Sequence, residues 1–561
     1  MSFYWGLFNW DQVKRFRDLK GREHNEVAWD YVKKNAREWS NKEAIVDTFI
    51  GVEPEKRRRK TWKQVYIENN TIIFNLLNLG IRKEDMVVTQ VPNIIENFYA
   101  NIFTSKLGAM HACLQVAMGE RDTKDTLEVL DPDVAIILPL DRDRDFPAWY
   151  REYQQNHPKL KHIFVVTKPG DSVPEGMRPF SDLLDEKIHE RYSEEDLDSL
   201  QPCSIEPTLI TPSGGTTGIP KLSIQCCRFW ESQQPGSYIN RMGITPYDVL
   251  FELGPINGGT GRGYGVQVPL ISGCKVVYLT DYEDEDACRL TEEEKVTAWV
   301  GLPAQMIRAA TSPYFQRYDV SSLRALGYAG APLPPEVGEM LWSKGIKPFG
   351  SYGAITAPMC TMVIPTEASK EAHLYSSGQP MEGSALKVVN TEGDELPPGE
   401  YGEVLLWGVH FGFYNSPELT KNNWDEDGWE HTGDIGTLDE QGNIRIVGRS
   451  KDMILRGGQN IFPKEIEDLL YKHPKVAEVA IVAMPDKILG EKSCAYVVPI
   501  QGETFTFEEM ISFLDKQKVT KWKWPERLEI IGEMPVSSGG KAKKEDLRED
   551  IAKKLKAEGK I

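Results

Sequence analysis

The run Thr211-Pro-Ser-Gly-Gly-Thr-Thr-Gly-Ile-Pro-Lys221 constrains this chain more than any other stretch. Gly214, Gly215 and Gly218 stand among three hydroxyls, Ser213, Thr216 and Thr217, and Lys221 closes the run. Glycine lets the backbone approach a ligand closely and turn its N–H groups toward it. Concave arrays of N–H groups bind anions. Three hydroxyl donors and a full positive charge added to such an array suit a polyphosphate. The alternative is an ordinary surface turn. The Gly-Lys-Ser/Thr form of phosphate loop is excluded, because Pro220 precedes the lysine and Leu222 follows it. Leu209-Ile210, just before the run, reads as the end of a strand.

A chain of 561 residues is too long for one core and implies two to four subdomains, at about 100–200 residues each. Apolar residues at helical spacing mark Glu26–Trp39 and Ile94–Leu107 as helices, with another opening at Thr61. Short apolar runs mark strands at Glu43–Val46, Met86–Val91, Asp133–Leu138, His162–Val166, Val249–Leu253 and Lys275–Tyr278. Strands separated by helices imply parallel α/β sheets. Residues 170–202 are polar and rich in turns and read as surface chain. Gly254–Gly265 holds six glycines, which suits a backbone that lines a cavity or a flexible loop. Leu326–Leu333 and Gly350–Gly353 read as strands ending in small residues. Open α/β sheets bind ligands at such carboxyl ends. The final third changes character: short β runs, then a compact α+β pattern beyond Ser450. The expected fold is therefore α/β, with a large N-terminal domain of α/β sheets plus a β subdomain over 1–449. A small mobile α+β domain follows over 450–561.

The formal net charge of −18 disfavours nucleic acid as a partner. The basic run Lys56–Lys60 stands against this trend and reads as a solvated hairpin edge. Eight cysteines without a CxxC pair suit free thiols in a reducing cytosol, which points to a cytoplasmic protein. The aromatic N-terminus lacks the pattern of a signal peptide. No window approaches 18 apolar residues, so no membrane span is expected.

Three further motifs follow the first in order. They are Gly428-Trp-Glu-His-Thr-Gly-Asp-Ile-Gly436, Gly448-Arg-Ser-Lys-Asp-Met-Ile-Leu-Arg-Gly-Gly-Gln-Asn-Ile461 and Pro535-Val-Ser-Ser-Gly-Gly-Lys541. Together with the Ser213 run they resemble the motif set of the adenylate-forming superfamily, and the resemblance covers nearly the whole chain. The hinge region and Asp486–Lys492 are similar to the branch that activates aryl and alicyclic acids, such as dihydroxybenzoate–AMP ligases and cyclohexanecarboxylate–CoA ligases.

The resemblance implies a role for each matching position. Ser213, Gly214, Gly215, Thr216, Thr217, Gly218 and Lys221 would hold the ATP phosphates, and Lys541 would bridge the substrate carboxylate and the α-phosphate. Gly330, Ala331 and Pro332, with Ser351, Tyr352 and Gly353, would flank adenine. Asp434 would accept hydrogen bonds from the ribose hydroxyls, with Arg449 beside it. Asn257, Gly258, Gly330 and Ala354 would line the acyl group. Lys451 would be the hinge, and Gly457 and Gly458 would border the CoA tunnel. One position departs from the pattern: the family's magnesium-binding glutamate is replaced by Thr356, a neutral and weaker ligand.

The expected activity is an AMP-forming acyl-CoA synthetase for a small cyclic carboxylic acid, using ATP, Mg2+ and CoA and reversible toward ATP. One rival is a stand-alone aryl-acid–AMP ligase that loads a carrier protein. Another, supported only by Thr356, is a non-catalytic nucleotide- or acyl-binding protein. Oligomeric state is not legible in the sequence.

Overall fold

A computed structural model describes residues 26–139, 141–142, 144–202, 204, 206–212, 221–226, 234–354, 362–363, 368–381, 384–408, 411–457, 459–536 and 542–560. The chain forms two compact units. The larger takes Met1–Leu333, Met340–Ala385 and Leu406–Glu430; the smaller takes Pro334–Glu339, Leu386–Leu405 and His431–Ile561.

Two sheets build the larger unit. In the eight-stranded sheet the order is Met362–Val363, Lys347–Tyr352, Ala325–Ala329, Ala298–Gly301, Val249–Glu252, Lys275–Tyr278, Glu43–Asp47 and Arg58–Thr61. Its inner strands pair in parallel, and the two edge strands run antiparallel. The seven-stranded sheet runs Arg178–Pro179, His162–Val165, Val134–Ile137, Met86–Gln90, Met110–Cys113, Pro207–Pro212 and Leu222–Cys226. Strands such as Val134–Ile137 are buried along their whole length, the pattern of a parallel sheet covered on both faces.

Local chemistry sets the helix ends. Trp62–Asn78 begins at Thr61, whose hydroxyl accepts from Gln64 N while the Gln64 side chain accepts from Thr61 N, so two orphan donors are satisfied. Ile95–Leu107 ends at Gly108, which takes φ +68° in a left-handed cap.

The smaller unit includes most of a four-stranded sheet, Ala385–Val389, Gly402–Trp407, Trp429–Leu438 and Ile444–Arg449. Beyond it, Val476–Asp486 and Gly490–Pro499 form a long antiparallel pair. Each face of this pair carries its own core. Val479 and Ile481 pack with Ile466, Met510 and Leu514, whereas Ala480 and Val482 pack with Leu547, Ile551 and Leu555. Alternate residues point to opposite faces, so a strand buried on both sides reads as a continuous apolar run.

Three expectations change. The basic run is solvated at Lys56 but not beyond it: Arg57 is buried, with Nη1 2.7 Å from Glu294 Oε1. Arg58 Nε lies 2.9 Å from Asp47 Oδ1, and Arg59 pairs with Glu43 and Glu294. Acidic residues contributed by distant segments turn this edge strand into an ion-pair network. Residues 170–202 are pinned by Phe180, Leu183, Ile188 and Leu197, all buried. The glycine-rich stretch is helical, over Gly259–Arg262 and a π turn at Gly263–Gln267. Its glycines allow close packing, since a Cβ on Gly261 would lie 2.2 Å from the Pro255 carbonyl oxygen.

Candidate active site

In the larger unit, the two strands around the Ser213 run pair antiparallel, with Thr211 opposite Ser223 and Pro212 opposite Leu222. Both ends of the run are thereby held side by side at the edge of the seven-stranded sheet. Ser213, Gly214, Gly215, Thr216, Thr217 and Gly218 lie outside the described residues. Lys221 stands at the returning end, exposed, with Nζ 3.4 Å from Asn423 Oδ1 and 5.3 Å from the centroid of the Phe413 ring. Asn423 in turn donates to Glu430 Oε1 at 3.0 Å.

Arg262 supports this edge from beneath. Its side chain is fully buried, not solvent-facing as general burial preferences favoured, and Nη1 donates to Thr211 Oγ1 at 3.2 Å. Burial lowers the pKa of the Arg262 guanidinium, with Cys113 opposing. The same region buries His111, whose Nε2 lies 3.0 Å from Thr89 Oγ1 and 3.2 Å from Cys113 Sγ. Burial, followed by the Arg262 charge, pushes the pKa of His111 well below the ordinary histidine value, so its imidazole is neutral at pH 7.

The two strand ends read from the sequence are neighbours. Ala329 pairs with Ser351 in parallel register, which sets Gly330, Ala331 and Pro332 beside Tyr352, Gly353 and Ala354. Gly330 takes φ +89°, a conformation that suits glycine, and Ala331, Pro332 and Gly353 are exposed. Ser351 is buried and donates to the Tyr328 carbonyl at 3.0 Å. Exposed glycine backbone at adjacent strand ends, in the same unit as the Lys221 cation, fits a nucleotide.

Asn257 is buried, and its amide is already engaged. Nδ2 donates to the carbonyls of Leu114 and Val91, and Oδ1 accepts from Asn97 Nδ2 at 3.1 Å. What Asn257 offers a ligand is therefore packing surface more than a hydrogen bond. Gly258 precedes the short helix at Gly259, and a Cβ there would sit 3.6 Å from the Pro255 carbonyl oxygen. Glu252, at the carboxyl end of the central strand Val249–Glu252, is fully buried. Its Oε1 accepts from Gly254 N at 2.8 Å, and its Oε2 has no partner among the described residues. Burial raises the pKa of this carboxyl well above its ordinary value, with the Gly254 hydrogen bond opposing.

In the smaller unit, Asp434 faces Arg449 across the antiparallel pair, with Oδ1 2.9 Å from Arg449 Nε. Gly433, at φ +67°, and the Thr432 hydroxyl, which accepts from Asp434 N at 3.0 Å, shape the approach. Lys451 lies in the turn Ser450–Asp452, where its carbonyl accepts from Arg548 Nη2 at 3.2 Å while Asp452 pairs with the same guanidinium. Gly457 takes φ +54° and donates to the Leu489 carbonyl at 2.9 Å. Gly458, Lys541 and Thr356 lie outside the described residues. Among the described residues, no group of three or more His, Cys, Asp or Glu side chains could hold a metal ion. No described helix is long and apolar enough to cross a membrane.

Against known proteins, residues 32–411 match the family of AMP-binding enzymes and residues 465–541 match the AMP-binding enzyme C-terminal domain. The chain is 28% identical to the medium-chain fatty-acid–CoA ligase of Escherichia coli strain K12, over 94% of this chain and 90% of that one. It is 31% identical to the indoleacetate–CoA ligase of Aromatoleum aromaticum, over 62% of this chain and 68% of that one. Its fold is similar to that of the anthranilate CoA ligase AuaEII, solved with anthranoyl-AMP, at a TM-score of 0.82 and 23% identity, covering 95% and 98% of the two chains. With a family match over more than half of its length, on the α/β fold that its motifs implied, the chain belongs to the AMP-binding enzyme family and is an AMP-forming acid–thiol ligase that uses ATP, magnesium and CoA.

Proposed function

We propose that this ligase is an acyl-CoA synthetase for a compact cyclic carboxylic acid, aromatic or alicyclic. The observation that carries the reading is the joined pair of strand ends, where the small residues Gly330 and Ala354 flank Tyr352. A relative named for indoleacetate supports the ring, although another is named for medium-chain acids.

The reaction has two steps. The substrate carboxylate attacks the α-phosphorus of ATP, the bond to the β-phosphate breaks, and pyrophosphate leaves with the electron pair. The CoA sulfur, having lost its proton, then attacks the acyl carbon, and AMP leaves. Negative charge gathers around the α-phosphate, so catalysis is mainly positioning and electrostatic stabilisation.

We assign Ser213–Gly218 and Lys221 to the phosphates and Lys541 to the carboxylate and α-phosphate. Gly330–Pro332 and Ser351–Gly353 go to the base. Asp434 goes to the ribose hydroxyls, with Arg449 holding its carboxylate. Thr356 is assigned to the magnesium site, where the ion when bound would supply charge neutralisation on the phosphates. Residues 450–561 are assigned to turn about Lys451 between the two steps. Arg548 would keep the Ser450–Asp452 turn attached to the C-terminal helix Lys544–Ala557 as it moves. Free buried thiols at Cys113, Cys274, Cys288 and Cys494 are consistent with a reducing cytoplasm.

The test is acid-dependent ATP–pyrophosphate exchange across benzoate, cyclohexanecarboxylate and linear acids, with and without CoA, alongside Lys541→Ala. Exchange with a cyclic acid, CoA-dependent AMP release, and loss of exchange in the variant are expected. Exchange without CoA turnover would favour carrier loading, and nucleotide binding without exchange would favour a non-catalytic protein.

A further inference from the structure

We infer that Tyr264 is a specificity-determining residue: its ring floors the acyl site and limits it to compact acids. The inference rests on the acyl-CoA synthetase reading above.

The argument starts from the pleat. Gly327 and Ala329 share one face of their strand, as do Phe349 and Ser351 on the next, because side chains alternate. Gly330 and Tyr352, assigned to the site, follow directly on these strands. The Tyr264 ring lies against this face one pleat below the strand ends. A Cβ built on Gly327 would be 2.8 Å from Tyr264 Cε1 and 3.0 Å from both Sδ and Cε of Met242. Glycine at 327 is therefore what lets the ring reach the sheet.

The ring is held from three sides. Tyr238 stacks on it with centroids 4.2 Å apart and planes at 19°. Its hydroxyl lies 3.4 Å from Ser351 Oγ, and Ser351 already donates to the Tyr328 carbonyl, so the Tyr264 hydroxyl is the donor. Behind it, the π turn Gly263–Gln267 sets the ring between two glycines. Such turns are frequent at functional sites. Tyr264, Tyr238 and Met242 are each at most 2% exposed. A linear acid entering past Ala329 and Ser351 and running down this face would meet Tyr264 within one pleat. A single ring would stop above it.

The experiment compares kcat/KM for benzoate, cyclohexanecarboxylate, octanoate and decanoate in the wild type, Tyr264→Phe, Tyr264→Ala and Met242→Ala. The wild type is expected to prefer the cyclic acids by about tenfold or more, the scale at which a hydrophobic pocket discriminates by size. Tyr264→Phe keeps the ring and should hold the octanoate-to-benzoate ratio within about twofold. Tyr264→Ala should raise that ratio by about tenfold or more, and Met242→Ala should raise it less. Loss of packing alone would lower activity on every acid and leave the ratio unchanged. If Tyr264→Ala does not fold, Met242→Ala carries the test.

An unchanged ratio in a folded Tyr264→Ala or Met242→Ala protein overturns the inference and leaves the synthetase reading intact. So does a wild type that prefers octanoate. A wild type that activates no acid overturns both.

Discussion

Asp434 and Arg449 are direct cross-strand neighbours, joined at 2.9 Å between Oδ1 and Nε, with the Asp434 side chain 10% exposed and that of Arg449 51%. The carboxylate is thus steered by a partner that stays open to solvent. Such a half-exposed pair contributes little to stability, about 0–1 kcal/mol. Asp434→Asn should therefore melt close to the wild type, yet lose about a hundredfold in exchange activity through the nucleotide. Arg449→Lys keeps the charge but not the planar donor fork and should lose less. Thermal melts beside exchange kinetics check this; a large drop in melting temperature for Asp434→Asn would reassign the pair to stability.

Acid should undo the edge-strand network. Burial alone would raise the pKa of Glu294, but hydrogen bonds and charges from Arg59 and Lys275 outweigh it and hold that pKa at about 2, below its ordinary 4.5. A depressed carboxylate contributes stability fully above its unfolded value, and the contribution is lost as pH falls from about 4.5 toward about 2. Glu294→Gln should cost about 3 kcal/mol at pH 7, because it removes the carboxylate shared by Arg59, Lys275 and the buried Arg57. Urea unfolding at pH 7, 4 and 3 should show the gap between variant and wild type closing with acid.

Glu252 predicts the opposite slope. Burial raises its folded pKa well above 4.5, so the fold favours its neutral form. Unfolding frees it to ionise, and stability falls by about 1.4 kcal/mol per pH unit as pH rises above 4.5 toward the folded value. Glu252→Gln, neutral at every pH and similar in shape, should remove that slope. Denaturation midpoints at pH 5, 7 and 9 test it; parallel curves for variant and wild type would show that Glu252 is ionised in the fold.

Thr356 offers a gain-of-function test. Thr356→Glu supplies a charged oxygen ligand where the chain has a neutral one. The magnesium concentration for half-maximal exchange should fall about tenfold, since ligand charge tunes affinity for hard cations. A magnesium titration of exchange rate reads this directly, and no shift would mean that position 356 does not reach the ion.

Much of this molecule was legible before folding. The alternation of apolar runs announced parallel sheets, and His162–Val166, Val249–Leu253 and Ile94–Leu107 recur within a residue or two as His162–Val165, Val249–Glu252 and Ile95–Leu107. Motifs such as Thr432-Gly-Asp434 could be read because turn geometry and residue type are local properties. Burial of polar groups was not legible. General burial preferences favoured a solvent-facing Arg262, and Lys56–Lys60 read as a solvated hairpin edge, yet Arg262 meets Thr211 fifty-one positions away and Arg57 meets Glu294 at a separation of 237.

The sequence by itself determined the order of motifs, the fold class and the family, because these depend on periodicity and on residue types at short spacing. Only the tertiary structure decided which side chains meet. Asn257 spends its amide on the carbonyls of Val91 and Leu114, Glu252 loses its water, and Tyr264 lies over Gly327 beneath Ser351. Each of these depends on strands and helices far apart in the chain, and desolvation is a property of the packed core, not of any one segment.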